Sequence, residues 1–161
     1  MIFKKKNISS LHLPHNKHTA GCEPEQIAAP KEVLLPMDMH SGGLAVPVVS
    51  VGEYVRVGQL IAKEDGRFSS PVHATVSGTV AEIMTISRPG GKEVQAIRIE
   101  NEGKMEIDPS VKAPVINNCD EFLQAIRESG VVGLGGAAFP TWAKLNEMRN
   151  EQYTVDTVLV N

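Results

Sequence analysis

Val51-Gly52-Glu53-Tyr54-Val55-Arg56-Val57-Gly58-Gln59-Leu60-Ile61 sets β-branched and apolar residues between closely spaced glycines. Such spacing permits only very short strands joined by tight turns. The same texture extends outward in both directions. Val33-Leu34-Leu35, Ala45-Val46-Pro47-Val48-Val49, Tyr54-Val55, Gln59-Leu60-Ile61-Ala62, Thr79-Val80-Ala81-Glu82-Ile83 and Val94-Gln95-Ala96-Ile97-Arg98-Ile99 all read as strands. Gly42-Gly43, Gly52, Gly58, Gly78 and Pro89-Gly90-Gly91 supply the turns between them. Short strands with turns this frequent predict a mainly β domain over residues 33–108, built as a small barrel or sandwich and not as a parallel sheet with crossover helices.

Composition narrows the function classes. The chain has 161 residues, 42% of them hydrophobic, enough for one domain with a core and part of another. With one Trp and two Tyr, core filling falls to Val, Ile, Leu and Ala. A net charge of -3 supplies no basic footprint for DNA or RNA. Lys4, Lys5 and Lys6 are not followed by an apolar stretch, so neither a signal peptide nor a membrane span is expected, and the chain reads as cytoplasmic. Cys22 and Cys119 lie far apart without a neighbouring cysteine, which is not the spacing of an iron–sulfur or structural zinc site.

Residues 1–32 read as an irregular arm carrying His12, His15, His18 and Cys22. All four are competent metal ligands, but Pro14 opposes the helix that would align the histidines, and no second ligand group follows. Water-exposed loop histidines are the simpler reading.

Val51 to Ile61, followed by Ser70-Pro71 and Ser77-Gly78-Thr79-Val80, resembles the core of biotinyl and lipoyl carrier domains. The resemblance implies their flattened barrel, the barrel-sandwich hybrid. Carriers attach the prosthetic group to a lysine at a hairpin tip. The corresponding stretch here is Glu64-Asp65-Gly66-Arg67-Phe68-Ser69, without a lysine, and Lys63 before it lacks flanking methionines. A swinging-arm function is therefore not expected. His73, alone before the second half, reads as packed or solvent-facing.

Residues 109–117 look like a linker, and the period then becomes helical. Asn118 with Glu121 forms a capping pair, Phe122, Leu123, Ala125 and Ile126 form an apolar stripe, and Gly130 closes the helix. Thr141 is a candidate N-cap for a second helix on which Trp142, Leu145 and Met148 share a face. Tyr153 to Asn161 reads as an apolar strand in need of partners. Residues 118–161 are thus expected to open an α/β domain, making the chain an N-terminal piece of a longer protein.

Between the helices lies Gly133-Leu134-Gly135-Gly136-Ala137-Ala138-Phe139-Pro140-Thr141. Gly133-x-Gly135-x-x-Ala138 formally satisfies the dinucleotide fingerprint, with Asp156 near the ribose-binding position, but that fingerprint must follow a strand and open a helix directly. Here it follows a helix and runs into Pro140. No Lys-Ser/Thr pair follows the last glycine, so a phosphate loop of the nucleotide-hydrolase type is excluded. From the residues alone, anion binding through backbone N–H groups and a plain tight corner both remain open.

The same run, with Lys144, looks like the flavin loop of the NADH-binding flavoprotein subunit of respiratory complex I, whose pattern is G-x-G-G-A-G-F-P-T followed by a lysine. A carrier-like barrel preceding this loop is similar to the RnfC component of the Rnf (Rsx) electron-transport complex. His15-Asn16-Lys17, Pro36-Met37-Asp38-Met39-His40-Ser41-Gly42, Val72-His73-Ala74-Thr75-Val76-Ser77-Gly78 and Gly130-Val131-Val132-Gly133 extend the resemblance over nearly the whole chain. Two departures stand out. Asn7 to Pro14 lacks the family's glycine pair, and Ala138 replaces a glycine. The first also fits a divergent relative, the RnfC-like electron-transfer protein (PrdC) associated with clostridial proline reductase.

The resemblance implies a peripheral subunit on the cytoplasmic side of the membrane that binds FMN and exchanges electrons with NADH. It also implies two 4Fe-4S clusters held beyond Asn161, electron passage between NAD and ferredoxin, and coupling to ion transport through the other subunits. Gly133, Gly135, Gly136 and Ala137 would then line the flavin phosphate or ribityl chain through backbone N–H groups, Lys144 would complement the phosphate charge, and Asn161 would begin the next flavin-contacting loop. Phe139 and Trp142 are assigned to packing, and no acid or base catalyst is nominated, since the flavin would do the chemistry. A rival class is a docking module without chemistry, a carrier-like barrel that lost its lysine. The isolated chain is expected to be inactive and colourless in either case, because half a cleft cannot enclose a flavin ring.

Overall fold

The computed structural model describes residues 16–149 and residue 157. The strand predicted at Tyr153 to Asn161, and with it Asn161, lies outside the described residues apart from Thr157, as do His12 and His15. His18 and Cys22 are exposed, and the described residues contain no group of three His, Cys, Asp or Glu side chains suited to a metal ion.

Seven strands follow: β1 (Glu32–Pro36), β2 (Val46–Pro47), β3 (Tyr54–Val55), β4 (Leu60–Lys63), β5 (Val72–His73), β6 (Gly78–Ser87) and β7 (Glu93–Asn101). They form two antiparallel sheets, ordered β1-β7-β6-β3 and β2-β4-β5. Between the sheets Met37, Val55, Ile61, Ala62, Val80, Ile97 and Ile99 are almost wholly buried. Each fully buried Ile or Val stabilises the fold by about 1.5–3 kcal/mol. The core is mostly β-branched, as the scarcity of aromatic residues predicts. β5 is a strand that the sequence pattern does not reveal, and β6 runs well past Ile83 because β7 pairs with it as far as Ser87. Gly90 and Gly91, both with positive φ, turn that hairpin.

A bulge between Val80 and Glu82 shifts the β6 register. It keeps Val80 inside and turns Glu82 outward to Arg98, whose guanidinium also meets Glu32 and Glu100. After Lys104 the chain returns to the barrel: Val57 N–H donates to Glu106 O at 2.8 Å and Asp108 N–H to Val57 O at 2.9 Å. The Tyr54 phenol donates to the Glu102 and Glu106 carboxylates. The bond to Glu102 first, then burial and the bond to Glu106, pushes its pKa up to about 12.

Helix α1 (Cys119–Glu128) is capped by the Asn118 side chain, which accepts from Glu121 N–H at 2.9 Å. The Glu121 carboxylate in turn accepts from Asn117 N–H at 2.7 Å, so the reciprocal contact falls one residue earlier than in an ideal capping box. Gly130, φ +70°, ends the helix where a Cβ would stand 2.7 Å from Pro71 O, so the turn lies directly against the barrel. The second helix, α2 (Thr141–Glu147), differs from the sequence expectation: its N-cap is Pro140, and Thr141 is its first residue. The Pro140 carbonyl accepts the first helical bonds, from Ala143 N–H at 3.2 Å and Lys144 N–H at 3.4 Å, so the helix starts one residue earlier than the side-chain pattern suggests, and α2 ends at Glu147.

Between α1 and the barrel lies a cleft of about 290 Å³ lined by Leu60, His73, Lys63, Glu64, Arg127 and Glu128, among others. Burial there lowers the His73 pKa below its usual 6.5.

Two outcomes are expected. At Gly78 a Cβ would sit 1.8 Å from Glu100 O, so Gly78→Ala will destabilise the fold by about 1–3 kcal/mol as overpacking does, read as a lower urea midpoint of unfolding at unchanged slope; an unchanged midpoint would contradict the β6–β7 approach. Because the folded state holds His73 neutral more firmly than the unfolded chain does, its contribution to stability is fully present above pH 6.5 and is lost as pH falls from there through the lowered folded value. His73→Asn will flatten this decline when unfolding midpoints at pH 5 and 7.5 are compared; an equal decline in both proteins would rule the imidazole out.

Candidate functional site

The glycine run is a hairpin. Val132 bridges Pro140 in antiparallel fashion, Gly133 N–H donates to Phe139 O at 3.0 Å, and Thr141 N–H to Val131 O at 3.0 Å. These bonds close the base and leave Leu134, Gly135, Gly136 and Ala137 as an exposed tip, with Leu134 fully exposed. The N–H groups of those four residues have no backbone partner among the described residues. Gly133, named from sequence among the amide donors, has its own N–H committed to the hairpin. It therefore shapes the turn, and the three predicted donors that stay available are Gly135, Gly136 and Ala137.

Two glycines at the tip differ in what they need. Gly136 has φ +69°, a conformation that favours glycine. Gly135 does not have a positive φ, and a Cβ built on it meets nothing within 4 Å among the described residues. The fold alone therefore does not require glycine at position 135. Lys144, exposed on α2, places its Nζ 3.7 Å from where a Gly133 Cβ would stand. No carboxylate pairs with it among the described residues. An unpaired ammonium beside several unbonded amides is a donor set suited to a phosphate.

Ala138, φ +49°, occupies the left-handed region, which costs a non-glycine residue about 1–2 kcal/mol. Its carbonyl accepts from Ser41 N–H at 3.3 Å. The Phe139 ring packs on Phe68, with centroids 5.3 Å apart. Trp142 donates its indole N–H to Ser69 O at 3.1 Å and lies under the Arg127 guanidinium, 4.6 Å from the ring centroid. Arg127 is also paired through two bonds with Glu64, at 2.6 and 2.9 Å. Both aromatic side chains are thus engaged in packing, as their positions beside a tight turn predict.

Beneath the hairpin, His40 is 8% exposed. Its Nε2 accepts from Ser70 N–H at 3.3 Å, which places the ring proton on Nδ1 toward Ser41 O. In the sequence His40 and Ser41 fall within a motif that assigns them no role. In the structure His40 joins the turn after β1 to the loop after β4, and Ser41 N–H joins the same turn to the glycine hairpin at Ala138 O.

The RnfC barrel sandwich hybrid domain family matches residues 7–104. The RnfC-type component of the Na(+)-translocating ferredoxin:NAD(+) oxidoreductase complex of Acetobacterium woodii is 34% identical over 94% of this chain and 34% of its own length. Its counterpart in the proton-translocating ferredoxin:NAD(+) oxidoreductase complex of Clostridium ljungdahlii is 38% identical over 90% of the chain and 32% of its own length. The counterpart in the ion-translocating oxidoreductase complex of Rhodobacter capsulatus is 33% identical over 94% and 30%. The chain therefore spans about a third of the length of these relatives. With more than half of the sequence matched, and with two packed antiparallel sheets of short strands in the matched region, the chain belongs to the RnfC barrel sandwich hybrid family.

Proposed function

We propose that this chain is the N-terminal part of an RnfC-type electron-transfer subunit, in which the barrel docks within a membrane-associated ion-translocating complex and the glycine hairpin begins an FMN site. The observation that carries the reading is Gly135: an open, glycine-occupied position that the fold does not require, next to free amides and the Lys144 ammonium. A close approach by a ligand explains a missing side chain where packing does not. The relatives, components of ferredoxin:NAD(+) oxidoreductase complexes, support the same assignment.

In this reading Gly135, Gly136 and Ala137 donate main-chain hydrogens to the flavin phosphate, Lys144 neutralises it, and Gly133 holds the turn. Asn161 would begin the next contacting loop. The flavin, when bound, supplies hydride and single-electron chemistry between NADH and two 4Fe-4S clusters, with ferredoxin reached through the complex. This chain supplies position and charge to that chemistry. The ring enclosure, the NADH contacts and the cluster cysteines belong to the remaining two thirds of the subunit. No helix among the described residues is long and apolar enough to cross a membrane. The proposed subunit attaches peripherally on the cytoplasmic side through its neighbours.

The test is calorimetric titration of the full-length subunit with FMN. Lys144→Ala will weaken binding about tenfold, the scale of one lost charge-assisted hydrogen bond. Gly135→Ala will weaken it as well, while leaving the thermal midpoint of the protein unchanged. An intact full-length subunit with no affinity for FMN or NADH would overturn the reading.

A further inference from the structure

The loop joining β4 to β5 is unusual in its backbone. Phe68 holds φ +59°, and among the described residues only Met105 and Ala138 share a positive φ without being glycine. Phe68 and Ala138 both lie where the barrel touches the glycine hairpin. Strained backbone persists only where its surroundings impose it, and it collects at sites with a task. Here the surroundings are visible. A Cβ on Gly42 would come 2.5 Å from Phe68 O, Gly43 N–H donates to Arg67 O at 3.0 Å, and the Ser69 hydroxyl accepts from Asp65 N–H at 3.1 Å.

We infer that this loop is a clamp that fixes the glycine hairpin in its binding geometry, with Phe68 as the positioning residue. The loop grips the hairpin base and the helix that follows it. Phe68 packs on Phe139 on the returning limb, Ser69 O accepts from the Trp142 indole at the start of α2, and Glu64 pairs with Arg127, which covers Trp142. The neighbouring turn adds Ser41 N–H on Ala138 O. Each of these contacts falls outside residues 134–137, so the tip stays open while its geometry is set. A loop ordered before its ligand arrives loses less entropy on binding, so its affinity is higher.

The clamp rests on the FMN reading for its consequence but not for its geometry, and the experiment separates the two. Phe68→Gly relieves the backbone and removes the ring; Trp142→Phe keeps a ring under Arg127 and removes the N–H; Phe68→Tyr retains the contact. In this chain, amide hydrogen exchange at Gly133 and Thr141 will accelerate about tenfold in Phe68→Gly, while the β6–β7 amides keep their protection and the thermal midpoint does not fall. In the full-length subunit, Phe68→Gly and Trp142→Phe will each weaken FMN binding about tenfold, and Phe68→Tyr will bind as the parent does. Unchanged exchange at Gly133 and Thr141 in Phe68→Gly would overturn the clamp, whatever the flavin result. Accelerated exchange in this chain, together with a full-length subunit that binds no flavin, would leave the clamp standing and remove the FMN site.

Discussion

The structure depends on a crossing of two loops, the turn after β1 and the loop after β4. A side chain on Gly43 would fall 2.1 Å from Asp65 O, and one on Gly42 would fall 2.5 Å from Phe68 O, so main chain lies directly on main chain. Only glycine permits that approach. Ser69 ties the crossing to Leu44 O at 3.4 Å, and the His40 ring ties it to Ser70 N–H at 3.3 Å. The barrel is closed at this end, and the same contacts carry the Phe68 ring to the surface that receives Phe139. Closure of the β domain and support of the glycine hairpin are one piece of geometry.

A division of labour follows. The barrel has a β-branched core and long β6–β7 pairing, and its outward face is laced by Arg98 with three carboxylates. Exposed pairs of this kind contribute little stability; they keep an open sheet face polar. Helix α1 has no fully buried residue, and its attachment rests on Arg127 and on the close turn at Gly130. The hairpin is supported at its base and free at its tip, which is where unbonded amides and a lysine converge. Such a combination is what the proposed reading needs: a folded base, and at its margin a tip whose amides are unbonded among the described residues.

The β class, the glycine punctuation and the Asn118–Glu121 cap were legible in sequence, because each rests on local chemistry. What escaped reading depends on distant partners. Val72–His73 is too short for its alternation to show, and Met84 to Ser87 are strand only because β7 pairs beside them. The Val80–Glu82 bulge reverses the face of every later β6 residue without any composition signal. Thr141 has the right side chain for an N-cap, but Pro140, held by its bridge to Val132, offers the carbonyl that accepts the first helical bonds, so the helix starts one residue early. In the candidate site, the glycine pattern alone leaves an anion site and a plain corner both open, and Lys144 is singled out only through the resemblance to the flavin loop. That Gly133 uses its own N–H internally, and that Phe68 supports the hairpin, could not be read from sequence, since both follow from tertiary contacts of loop residues.

If the glycine hairpin begins an FMN site, the amides of residues 135–137 donate to its phosphate. Residue-resolved hydrogen exchange on the full-length subunit, with and without FMN, reads those amides one by one. The Gly135, Gly136 and Ala137 amides are expected to become protected on FMN addition, while the Gly133 amide, already bonded to Phe139 O, changes little. FMN binding that leaves the tip amides exchanging as fast as before would contradict that reading.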